Sequence, residues 1–238
     1  MLSSTDEERI IENNKQIQRL LEENERILQK SGYTPPVNNL VLDPQQRLQI
    51  PRGYLRTSGK FYFDYHLNEI SDKKVVKDNI SYALQLSDCY NYFITRFNIW
   101  GSVGALFQKQ AFINIISIIE ALISESTHNL NKKCDSCIYI PSCTQRLNRN
   151  DRHNAKNAIQ KLVSLNLLHL SPQDVSKLLY FIDLRNRIHI RLADGNEFLD
   201  AKFSIASLND ALRLLKLVRD DICKSIVPQY NVCSRAKY

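Results

Sequence analysis

The stretch Ala111-Phe-Ile-Asn-Ile-Ile-Ser-Ile-Ile-Glu-Ala-Leu-Ile123 constrains this chain more than any other. It is apolar nearly all the way round a helix, so it must be covered on every side by other elements. A helix with that requirement sits at the centre of a bundle. The surrounding pattern agrees, with helices expected near 73–99, 104–127, 150–168, 172–191 and 207–227. Ser171-Pro172 reads as the cap and first turn of the fourth of these, and Asp194-Gly195 as a stop after it. Six glycines and seven prolines in 238 residues are too few for a turn-rich all-β fold. The expected class is therefore all-α, an up-and-down helical bundle.

Glu120 breaks the apolar run. A carboxylate there is costly unless a cation lies close or its pKa rises. Arg185, on the fourth helix, is the expected partner. Such a pair either fixes helix register or aims the arginine at a phosphate.

Two segments precede the bundle. Residues 1–31 read as an amphipathic helix opened by Ser4 or Thr5, with Ile10, Ile17 and Asn24 at heptad a positions and Asn13, Leu20 and Ile27 at d. Leu21 and Leu28 widen the stripe at e. Three heptads suit a short coiled coil or a helix docked on another surface, and Asn24 at a favours one register and a low oligomer order. Residues 32–70 read as a connector arm rich in proline and glycine. Within it Phe61-Tyr-Phe-Asp-Tyr65 is β-prone and is expected to pair with Leu48-Gln-Ile50 as a small hairpin. Tyr54, Arg56, Lys60, Phe61 and Tyr65 interleave basic and aromatic groups, which suits either base stacking or an arm packed on the core. Residues 71–238 form the main helical domain, interrupted by a cysteine-rich loop at 128–153.

The net charge is +7, unevenly spread. Residues 1–30 carry seven acidic and five basic side chains, which leaves about +9 on the rest. A basic body fits a polyanionic partner. No run of about 18 uncharged apolar residues appears, so no membrane partner is expected. The acidic start, Met1-Leu-Ser-Ser-Thr-Asp-Glu-Glu8, reads as neither a signal nor a transit peptide. A cytoplasmic location follows, with cysteines reduced unless they hold a metal.

Leu184-Arg-Asn-Arg-Ile-His189 is the stretch with most chemistry in it. Residues four apart share a helix face, so Arg185 and His189 would point the same way with Asn186 beside them. A forked cation that grips phosphate oxygens, next to a group that titrates near neutrality, is the minimum for metal-free RNA cleavage. An amphipathic helix whose polar face carries Arg and His would give the same string.

Cys134-x2-Cys137-x5-Cys143 is half of a tetrahedral metal clip plus a third thiolate. His128 or His153 could complete a structural Cys3His zinc site. The local pattern also resembles the iron–sulfur-binding segment of a family of CRISPR-associated nucleases. A cluster would want a fourth thiolate from Cys89, Cys223 or Cys233. Zinc ranks ahead of iron–sulfur, and without a metal role Cys89 and Cys223 read as core residues. Arg146, Arg149, Arg152, His153, Lys156 and Lys161 follow as a basic run, suited to an RNA backbone or to a solvated helix face. Arg187 and Arg191 add to the candidate RNA contacts. His66 and His169 read as structural. No glycine-rich phosphate loop or G-x-S-x-G motif is present, which leaves ATP-dependent and metal-dependent catalysis without a motif.

The long apolar helix ending Ile118-Ile119-Glu120-Ala121-Leu122, with a later helix bearing Leu184-Arg185-Asn186, resembles the HEPN superfamily over roughly residues 73–227. The resemblance implies a dimerising helical bundle and, for many members, a metal-independent RNase of toxin–antitoxin, abortive-infection or CRISPR systems. Arg185 and Asn186 match the family signature, and His189 stands closer to them than the usual spacing. By that resemblance His189 is the general acid or base, Arg185 stabilises the transition state, Asn186 positions the phosphate or the histidine, and the sites of two subunits meet across a two-fold axis. Glu120 joins them as the residue that orients Arg185. The implied partners are RNA, a second copy or higher homo-oligomer, and an antitoxin or defence-complex protein. The implied product is a 2′,3′-cyclic phosphate. A non-catalytic scaffold or RNA-binding subunit of a defence complex is the competing expectation.

Overall fold

A computed structural model describes residues 3–32, 44–50, 53–132, 154–186 and 201–230. The chain divides into two compact units, residues 1–50 and 51–238.

The first unit is built on α1 (Ser4–Lys30). Ser3, rather than Ser4 or Thr5, caps it, its Oγ accepting from Asp6 N–H at 3.1 Å. Asp6 and Glu7 sit in the first turn and Lys30 in the last, as the helix dipole prefers. No residue of α1 is buried. A short 3-10 turn follows at Pro44–Gln46.

The second unit contains α2 (Ser58–Asp64), α3 (Leu67–Ile70), α4 (Lys74–Arg96), α5 (Gly101–Lys132), α6 (Ala155–Ser164), α7 (Pro172–Asn186) and α8 (Ile205–Asp221). The fold class is all-α, and among the described residues there is no strand. The expected hairpin is therefore corrected, since Phe61–Asp64 is helical. Thr57 Oγ1 accepts from Lys60 N–H at 3.3 Å and starts α2, while Phe61 is 0 % exposed in the core. A cap plus complete burial of one aromatic outweighs the weak β-propensity of Phe-Tyr-Phe.

α5 is the central helix, packed against α4, α6, α7 and α8. Phe112, Ile115, Ile116, Ile118, Ile119, Leu122 and Ile123 are all fully buried on it. Phe112 meets Phe181 of α7 edge-on at 4.8 Å between centroids, and Phe203 at 5.6 Å. The elbow into α5 needs glycine twice. Gly101 has φ +66°, and a Cβ on Gly104 would lie 2.0 Å from the Ile99 carbonyl oxygen. Gly101–Leu130 is long and apolar enough to cross a membrane by composition, and half of that stretch is buried inside the bundle. Ser171 Oγ accepts from Asp174 N–H at 3.1 Å, so α7 starts at the expected cap. After α8 the chain widens into a π turn, Ile222–Ile226, that keeps Ile222 and Ile226 in the core.

Candidate functional site

Glu120 faces outward from the middle of α5 towards the last turn of α7. Leu184, the residue before Arg185, is buried and fixes the end of α7 against the core. Arg185 then turns back, and its Nε lies 3.5 Å from Glu120 Oε2. The expected partner of the carboxylate is the one present. Glu120 is 19 % exposed and Arg185 38 %, so the pair is shielded on the helix side and open on the other. Burial pushes the Glu120 carboxyl above its ordinary value, and Arg185 offsets only part of that shift. Arg185 Nη1 also donates to Asn186 Oδ1 at 3.2 Å. One guanidinium is thus held by a carboxylate on one helix and an amide on its own.

Lys156, at the start of α6, lies next to the same helix end, with its Nζ 2.5 Å from Asp183 Oδ1. Lys156, one of the basic groups suited to an RNA backbone, thus forms an ion pair between α6 and α7. Asn154 caps α6, its Oδ1 accepting from the backbone N–H of Lys156 at 3.0 Å. The last two turns of α7 thus carry two separate ion pairs, one to α5 and one to α6.

His189, Arg187 and Arg191 lie outside the described residues, as do Cys134, Cys137, Cys143, Arg146, Arg149, Arg152, His153 and Cys233. His128 lies on α5, partly buried. Among the described residues no three His, Cys, Asp or Glu side chains converge as metal ligands would.

The two remaining histidines have partners. His66, in the left-handed region at φ 50°, pairs with Glu69 at 2.9 Å. His169 lies 3.5 Å from Asp221 Oδ1 and 3.5 Å from Ser225 Oγ. Ser, His and Asp together invite comparison with a hydrolytic triad, but both contacts fall on Nδ1. A triad needs Nδ1 on the carboxylate and Nε2 on the hydroxyl, so this arrangement is structural.

Two features were not anticipated from the sequence. The first is a buried polar cluster on α5. Ser71 Oγ donates to Glu125 Oε1 at 2.7 Å, and Asn129 Nδ2 donates to the Ile70 carbonyl at 2.6 Å. Lys73 Nζ lies 3.9 Å from Glu125 Oε2, and burial raises the nearby Tyr230 hydroxyl to about 12. These bonds tie α3 and the C-terminal turn to α5. The second is a clamp. Arg56 grips Asp88 of α4 at 2.6 and 2.9 Å and stacks 4.5 Å above the Phe61 ring. The aromatic–basic arm is thereby packed on the core. A cavity of about 160 Å³ opens beside this clamp, floored by Leu84, Ala111, Ile115 and Leu215.

No protein-family model, curated protein or solved structure matches this chain.

Proposed function

We propose that this chain is a metal-independent endoribonuclease of a defence or toxin system, acting in the cytoplasm at a site shared by two copies. The observation that supports this reading is the Arg185–Glu120 pair. It presents a pre-oriented, partly exposed guanidinium at the end of α7, with Asn186 attached. A guanidinium held from behind keeps its fork in one orientation, which favours a phosphate over a solvated rotamer. In the reaction His189 takes the proton from a ribose 2′-hydroxyl. The 2′-oxygen attacks phosphorus as the bond to the 5′-oxygen breaks, and that oxygen leaves with a proton from an imidazolium. Arg185 stabilises the charge gathered on the equatorial oxygens, and Asn186 positions the phosphate. The products are a 2′,3′-cyclic phosphate and a 5′-hydroxyl end. A structural zinc on Cys134, Cys137 and Cys143, with His128 as fourth ligand, belongs to the same proposal, and metal analysis of purified protein tests it against an iron–sulfur cluster.

Total RNA incubated with the protein in EDTA, followed by mapping of the fragment ends, tests the reading. Cyclic-phosphate ends that vanish in Arg185→Ala and in His189→Ala are expected. Intact RNA under conditions that support binding would sink the enzyme and favour a second reading, a non-catalytic scaffold. In that reading the Arg185–Glu120 pair only fixes the register of α5 and α7.

A further inference from the structure

Helix α1 has no buried residue, although it carries a regular apolar stripe. Ile10, Ile17, Leu20 and Ile27 are 44–61 % exposed. Isolated helices gain most of their stability by covering such a face. The stripe repeats every 3.5 residues, the period at which two helices wind together without losing contact.

The residues around the stripe specify what covers it. In a parallel pair of identical helices every layer meets itself. Four layers are then apolar, and Asn13 and Asn24 each meet their own kind, where amides bond one another. Arg9, Gln16 and Glu23 at the g positions face Asn14, Leu21 and Leu28 at e of the second copy, so no like charges oppose. The antiparallel alignment that also matches asparagine with asparagine sets Asn13 against Asn24. It places Arg9 beside Lys30 at both ends, a like-charge contact. Asparagine at an a position further selects two strands over three.

We propose that α1 forms a parallel two-stranded coiled coil with α1 of a second copy of this chain. The coil holds whether or not Arg185 cleaves RNA. Its consequence is that residues after Ser31 of both copies leave the coil at one end, so the two bodies share a raised local concentration.

Full-length protein carrying Ser3→Cys tests the direction, because position 3 is an a site that faces itself only in the parallel pair. Oxidation should give a covalent dimer absent from the wild-type chain treated alongside. Adding Leu20→Glu keeps a good helix former but sets two carboxylates face to face, and should lower the crosslinked fraction at least about tenfold. Crosslinking of Asp6→Cys chains with Ser31→Cys chains, positions that meet when Asn13 faces Asn24, together with no Ser3→Cys dimer, would overturn the parallel arrangement. A monomer by sedimentation at micromolar concentration, or a crosslink indifferent to Leu20→Glu, would overturn the coil. Capture of a different polypeptide on α1 in place of the second copy would overturn it too.

Discussion

Arg185 Nε and Glu120 Oε2 are 3.5 Å apart, and they join the central helix α5 to the C-terminal turn of α7. Because burial shifts Glu120 upward more than Arg185 shifts it down, the ionised carboxylate carries a net cost in the folded state.

The sign of the pH dependence follows. The folded state binds the Glu120 proton more tightly than the unfolded chain, whose carboxyl titrates near 4.5. Its contribution therefore favours folding at low pH and is lost as pH rises from about 4.5 through the raised folded value. Glu120→Gln should remove that slope and leave the protein at pH 7 as stable as the wild type or slightly more so. Urea denaturation of both proteins at pH 4.5 and pH 7 measures the difference. A loss of about 3 kcal/mol in Glu120→Gln at pH 7 would mean that the pair is a strong net stabiliser, contrary to this reading.

The Arg56–Asp88 clamp holds the start of the second unit on α4. Arg56 Nη2 and Nε donate to Asp88, the Arg56 backbone N–H donates to Oδ2 at 3.1 Å, and Gln85 Nε2 donates to the Arg56 carbonyl at 3.0 Å. Asp88 is mostly shielded, whereas Arg56 is nearly half exposed, so solvent screens part of the attraction. Asp88→Ala should cost about 1–2 kcal/mol, most of it from the unsatisfied backbone and guanidinium donors. A double-mutant cycle with Arg56→Ala should return a coupling of about 1 kcal/mol. Additive losses would show that the two residues act independently.

The central helix and the Glu120–Arg185 pair were legible in the sequence for the same reason. An all-round apolar helix has one place to go, and a carboxylate inside it needs a cation. Ser171 was legible as a cap because Pro172 follows it. The connector misled because Phe61-Tyr-Phe carries β-propensity, while the Thr57 cap and the pocket for Phe61 act through tertiary context. The Glu125 cluster was missed because its partners Ser71 and the Ile70 carbonyl are more than fifty residues away, beyond any spacing rule. The π turn after α8 left no mark in a pattern read at period 3.6. His189 and the three clustered cysteines fall outside the described residues, so the sequence remains their sole reading.

The start of α7 is a capping arrangement reinforced from α8. Ser171 Oγ accepts from Asp174 N–H and donates to Asp174 Oδ2 at 2.9 Å, and Arg213 Nη2 reaches Asp174 Oδ1 at 2.5 Å. The Arg213 hydrogen bond, aided by Ser171, holds the Asp174 carboxyl below its ordinary 3.8. Its stabilisation is present above that value and is lost as pH falls through the lower folded one. Ser171→Ala should cost about 1 kcal/mol at pH 7. Arg213→Ala should cost well under about 1 kcal/mol, since its guanidinium is half exposed, and should flatten the acid limb below about pH 4. Chemical denaturation at pH 7 and pH 3 separates the two effects, and an unchanged acid limb in Arg213→Ala would refute the assignment.

Cys223, in the π turn after α8, is a half-buried free thiol. Desolvation, assisted by the Glu69 carboxylate, pushes its pKa up to about 11. At pH 8 only about one such thiol in a thousand is ionised, against roughly a quarter for an unperturbed cysteine, and the thiolate is the reactive form. Alkylation of the Cys223 peptide by iodoacetamide, followed by mass spectrometry, should therefore be at least about tenfold slower in folded protein than in urea. The part of the ratio that comes from ionisation should shrink as pH rises towards 11. A rate equal to that of the unfolded chain at pH 8 would show that the π turn opens to solvent, and that Ile222 and Ile226 do not hold Cys223 against the core as the packing requires.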